Sequence, residues 1–163
     1  MELSEPEHID AHRAIVVGCD GHPASDAALR FAVRQAQLHQ AQLIVVTAFF
    51  RPVDPDLYDF ETPEEELRTR ARRTAEEALC RALDLRPTLL PPHITVTGEG
   101  AASRLLLSGY GDAEMIVVGT HQRHLLQRLL HGHSTSRALI RHSHIPVVVV
   151  PRATADRPTL PAR

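Results

Sequence analysis

Four short apolar runs punctuate the chain: Ala14 to Cys19 (AIVVGC), Leu43 to Ala48 (LIVVTA), Met115 to Val118 (MIVV) and Ile145 to Val150 (IPVVVV). They are continuous rather than alternating, the pattern of strands buried on both faces of a parallel sheet. A fifth run, His93 to Thr97 (HITVT), follows the turn-forming Pro91-Pro92 and is rich in β-branched residues. Between the runs the apolar period lengthens to that of helices, over Ser25–Gln40, Thr62–Leu85, Ala101–Tyr110 and Ser134–Arg141. On the first helix Ala28, Phe31, Ala32, Gln35 and Leu38 are predicted to share one face. The second opens TPEEE, with Thr62 as a cap, Pro63 in the first turn and acids at the positive helix end. Glu64 with Arg68 and Glu66 with Arg70 are spaced as i,i+4 pairs, the mark of a solvated helix face.

Strands alternating with helices through right-handed crossovers predict a single α/β domain: an open, doubly wound, five-stranded parallel sheet with helices on both faces. Its span is residues 13–151. The polar start (1–12) and the proline-containing end (152–163) lack periodicity and are expected to form flexible tails. Such sheets bind ligands beyond the carboxyl ends of their strands, where the strand order reverses. Candidate chemistry is therefore sought just after each strand: Asp20-Gly21-His22-Pro23-Ala24-Ser25, Gly119-Thr120-His121-Gln122, and His131-Gly132-His133-Ser134-Thr135.

Composition narrows the function. A chain of 163 residues with 43% hydrophobic and 23% charged residues fits one ordinary globular domain. No apolar run is long enough to span a bilayer, and the first twelve residues lack the pattern of a secretory signal, so a cytoplasmic protein without a membrane partner is expected. All 18 basic residues are arginine, which excludes a Walker A loop and a lysine Schiff base. A net charge of −2 offers no general attraction for nucleic acid. Cys19 and Cys80 are expected to be reduced thiols in or near the core.

Six of the 11 histidines fall between positions 121 and 144: His121, His124, His131, His133, His142 and His144. Imidazoles could serve a metal or pH sensor, but their spacing matches no ligand set, and they read mostly as polar surface in a lysine-free protein. There is no G-x-S-x-G elbow, paired-cysteine motif or H-E-x-x-H helix, which points away from dedicated catalysis.

The segments VVGCDG, SDAALRFAVRQA, VTGEGAASRLLL, AEMIVVGTH and HSTSRALIRHSHIPVVVVP occur in the order found in universal stress proteins. The chain resembles that family over residues 13–151. The resemblance implies an adenine-nucleotide-binding module, ATP with magnesium as its ligand, and at most slow ATP hydrolysis. In nucleotide-binding members a glycine motif (Gly, two residues, Gly, nine residues, Gly, then Ser or Thr) wraps the phosphates. Here Gly119 fills the first position and Gly132 the third, with Gln122 in place of the second glycine and His133 in place of the hydroxyl residue, followed by Ser134 and Thr135.

Glycines let backbone N–H groups approach anionic oxygens, and the helix start beyond adds partial positive charge. Gln122 would strain a left-handed position or crowd a phosphate, whereas His133 keeps the backbone N–H that an anion site uses. By resemblance, Asp20 orients the ribose or a magnesium ion, and Leu43, at the start of the second strand, lines the adenine. Val118 abuts the base or ribose, and Gly119, His121, Gln122, Gly132, His133, Ser134 and Thr135 surround the phosphates. Family members commonly dimerise through their last strand, which implies a homodimer through Ile145–Val150. The alternative function, favoured by Gln122, is a dimeric interaction module that binds no nucleotide.

Overall fold

A computed structural model describes residues 13–50, 63–83, 90–110, 112–120 and 135–151. Nine elements follow in order among them: β1 (Ala14–Gly18), α1 (Pro23–His39), β2 (Gln42–Phe49), α2 (Glu64–Ala82), β3 (His93–Glu99), α3 (Ala102–Leu107), β4 (Met115–Thr120), α4 (Thr135–His142) and β5 (Val147–Pro151). The five strands form one sheet in the order β3-β2-β1-β4-β5, and every pair is parallel. Each predicted strand and helix is present, with boundaries shifted by a few residues. The predicted tails, 1–12 and 152–163, lie outside the described residues.

The continuous apolar runs are explained by the two layers that cover them. On one face Ile15, Val17, Leu43, Val45 and Val117 pack against Ala28, Leu29, Ala32, Val33 and Ala36 of α1 and Ala75, Ala78, Leu79 and Ala82 of α2. On the other, Ala14, Val16, Ile44, Val46, Ile116 and Val118 meet Leu106 of α3, Tyr110, and Leu139 of α4. With alternate residues of β1 and β2 buried on opposite faces, neither strand can display a polar period.

Three expectations are corrected. Leu38 is 70% exposed, because the buried stripe of α1 runs through Ala28, Leu29, Ala32, Val33 and Ala36, rotated from the predicted face. Cys80 is exposed, whereas Cys19 is buried. The inward face of α2 is fixed by Ala71, Ala75, Ala78 and Ala82, and a residue two positions past Ala78 points away from the sheet. Finally, Pro63 stands at the cap of α2 rather than inside its first turn. Its outward face carries the predicted pairs Glu64–Arg68 and Glu66–Arg70, with Arg73–Glu77 as a third.

Candidate functional site

The order β3-β2-β1-β4-β5 reverses direction at β1: the chain winds outward through β2 and β3, then crosses back to β4 on the other side. The carboxyl ends of β1 and β4 therefore flank the switch point, the place where sheets of this type hold their ligands. The β1 end is built tightly. Cys19 extends the ladder by donating its N–H to the Val46 carbonyl. Asp20, exposed at the mouth, accepts the His22 backbone N–H on Oδ1 at 3.0 Å. This arrangement is an Asx turn, a local closure that aspartate favours. Gly21 adopts φ +76, and a Cβ there would stand 2.4 Å from Thr74 Cγ2 of α2. Both the left-handed backbone and the close helix require glycine.

Two further contacts complete the loop. Ser25, buried in the first turn of α1, donates its hydroxyl to the His22 carbonyl at 2.7 Å. From α2, Arg81 donates through Nη2 to the Gly21 carbonyl at 2.9 Å and to Asp26 Oδ1 at 3.2 Å. Burial raises the Cys19 thiol above the ordinary thiol range, so it remains protonated at neutral pH and serves as core.

At the β4 end, Val118 is buried and its side chain packs over Gly18. It supplies a floor. Gly119 and Thr120, half-buried, continue the strand in register with Val150 and Pro151 of β5. The half-buried Thr135 opens α4. Because Ser143 at the far end of α4 caps the turn into β5 by donating to the Ile145 carbonyl, α4 runs against the strands and its first turn faces their carboxyl side.

The structure thus brings Asp20, Val118, Gly119 and Thr135 to one end of the sheet. It does not bring Leu43 there. Leu43 pairs with Ile15 and His93 at the amino ends of the strands, fully buried, and its N–H is taken by the Pro92 carbonyl. The strand runs the other way from the mouth, and the β2 residues level with Cys19 and Asp20 are Thr47 and Ala48, which follow the Gly18–Val46 pair. His121, Gln122, Gly132, His133 and Ser134 lie outside the described residues. So do His124 and His131, and among the described residues no cluster of three or more histidines, cysteines or acids could hold a metal.

Sequence reasoning missed four features of this end. Ala48 is half-buried there, and Thr47 carries a buried hydroxyl with no hydrogen-bond partner among the described residues. Phe50 follows the last residue of β2 with 67% exposure. The parallel register would have pointed to these three, since the carboxyl end of a strand is its last residue and not its first. Arg81, 60 positions from Gly21, left no local signal.

An all-parallel, doubly wound sheet with the Asp20 loop and the Gly119 strand end at its switch point defines the class of α/β proteins that hold ligands at strand carboxyl ends. Within that class, residues 12–151 match the universal stress protein family, and the chain belongs to it. A universal stress protein of Mycolicibacterium smegmatis is 32% identical over 141 residues, covering 83% of this chain and 47% of the relative. One from Mycobacterium tuberculosis is 29% identical over 140 residues, covering 85% and 45%. The chain therefore spans about half the length of these relatives.

Among solved structures, a universal stress protein in complex with cAMP superimposes with a TM-score of 0.67 at 22% identity, covering 86% of this chain and 98% of the other. The Archaeoglobus fulgidus protein in complex with dAMP gives 0.56 at 22% identity, covering 85% and 97%. These likenesses show the shared fold.

Proposed function

We propose that this chain is an adenine-nucleotide-binding regulatory module of the stress-response type, without dedicated catalysis, acting in the cytoplasm. One observation carries the reading. The Asp20-Gly21 loop and the Gly119-Thr120 strand end converge at the two strands flanking the switch point, in a family whose solved members include complexes with cAMP and dAMP. The donor set suits such a ligand: an exposed carboxylate for ribose hydroxyls or a magnesium ion, and backbone near Gly119 and the start of α4 for phosphate oxygens. Ala48 replaces Leu43 as the β2 residue at the level of the base.

The test is thermal unfolding with and without millimolar ATP and magnesium, and with cAMP and dAMP in parallel. A ligand at 100 times its Kd adds about 2.7 kcal/mol, which raises the midpoint of a domain this size by several degrees. Absence of any shift, in protein free of copurified nucleotide, favours a dimeric interaction module. Gln122 at the second glycine position supports that second reading. Either module is proposed to pair through β5, an edge strand whose Val147, Val148, Val149 and Val150 remain half-buried. Light scattering that finds only monomer at micromolar concentration overturns the pairing.

A further inference from the structure

We propose that Arg81, on the second helix, is a positioning residue for Asp20, acting through a single peptide unit. The consequence of this role for binding rests on the nucleotide-binding reading, and its cause on the geometry around one peptide unit. The carbonyl of Gly21 and the N–H of His22 belong to the same planar, trans amide, so they point in opposite directions and move together. Arg81 Nη2 donates to that carbonyl at 2.9 Å, while the N–H of the same unit donates to Asp20 Oδ1 at 3.0 Å. The guanidinium therefore grips one end of a rigid plane whose other end holds the carboxylate.

Two further features make the grip specific. The guanidinium is itself aimed by Asp26 Oδ1, 3.2 Å away in the first turn of α1. Thr74, two helical turns before Arg81, closes over Gly21 so tightly that an added Cβ would stand 2.4 Å from its Cγ2, which seats the loop directly against α2. A cation on the carbonyl also polarises the amide and strengthens donation from its N–H, because linked hydrogen bonds reinforce one another. Deletion of Arg81 releases the carbonyl end of the plane, and the His22 N–H then holds the Asp20 carboxylate less firmly. Both contacts run through the one Nη2 nitrogen, so a lysine ammonium could reach the same carbonyl, but without a rigid plane to fix the direction of its N–H groups.

Amide exchange of the nucleotide-free protein, read at His22, tests the grip directly. Arg81→Ala is expected to speed exchange at His22 by about tenfold while leaving Val33 and Ala36 of α1 unchanged, with Arg81→Lys and Asp26→Asn falling between. Affinity for ATP with magnesium then tests the consequence in a double-mutant cycle. Arg81→Ala should weaken binding by about fivefold to tenfold in the native background and by nothing further in Asp20→Ala. Unchanged exchange at His22, or an equal loss in both backgrounds, overturns the proposal. If the native protein takes up no nucleotide, the functional reading fails, and the exchange arm alone still decides whether Arg81 holds the loop.

Discussion

The two helical layers cover the same sheet in opposite ways. On one side α1 and α2, 17 and 19 residues long, bury mostly alanines, with Leu29, Val33 and Leu79 among them, so their backbones approach closely. On the other, α3 and α4, of 6 and 8 residues, fill their space with Leu106 and Leu139. The long layer extends to the carboxyl ends and grips the Asp20 loop through Thr74 and Arg81. The short layer packs over the middle of the sheet with few large side chains. Close packing by small residues confers reach and rigidity; filling by large ones concentrates stability in single positions.

That contrast makes graded predictions. Leu139→Ala should destabilise by about 2–5 kcal/mol, because a fully buried side chain leaves a cavity that one short helix cannot close. Ala78→Leu tests the long layer from the other direction: overpacking between α2 and the sheet should cost about 1–3 kcal/mol. Urea unfolding measures both, and a harmless Leu at position 78 would mean that the alanine face is not tightly packed.

Gly21→Ala comes next, with a loss of about 1–2 kcal/mol from φ +76 together with the collision with Thr74. Gly109→Ala has a positive φ of +84 but open space, and should lose only about 1 kcal/mol. Adding Thr74→Ala to Gly21→Ala should recover the difference between the two, measured by thermal unfolding. If it recovers nothing, the clash with α2 is not what excludes a side chain.

A smaller effect appears with alkali, and it involves one residue from each layer. Burial raises both the Cys19 thiol and the Tyr110 phenol above their ordinary values, so the folded protein keeps protons that the unfolded chain releases. The associated stability is full below about pH 8.5 and is lost as pH rises through the folded values, first for the thiol and then, above about pH 10, for the phenol. Cys19→Ala should flatten the lower part of that decline in midpoint temperature, and Tyr110→Phe the upper part. Smallest of all, Thr47→Val should raise stability by up to about 1 kcal/mol in calorimetry, since it removes a buried hydroxyl without a partner among the described residues and keeps the side-chain shape.

Most of the architecture is legible from the hydrophobic runs, because they are short, rich in valine and isoleucine and bounded by turn residues, which separates buried strands from buried helices. Helical spacing points Leu38 inward and apolar character does the same for Cys80, yet the buried stripe of α1 runs through Ala28, Leu29, Ala32, Val33 and Ala36 and that of α2 through Ala71, Ala75, Ala78, Leu79 and Ala82, which turns both residues outward. The resemblance implies that Leu43, at the start of its strand, lines the adenine; the ladder with Ile15 and His93 puts it at the amino end of the sheet, opposite Asp20 and Gly119. Asp20, Gly119 and Thr135 could be placed from motif spacing, since each sits at the end of an element. Arg81 could not, because its role depends on two elements meeting across 60 residues.

The position of β1 has a kinetic consequence. The strand is central, paired with β2 on one side and with β4 on the other, and the second pairing joins Ile15 to Met115. Bringing those segments together requires closing a loop through most of the domain, whereas β1 and β2 meet after a single helix. The half-sheet of β1, β2 and β3 is thus the early event expected on entropic grounds, and docking of β4 the late one. The switch point lies on that late seam. A nascent or partly folded chain would carry Asp20 without Gly119 beside it, so any ligand held between the two would report completed folding.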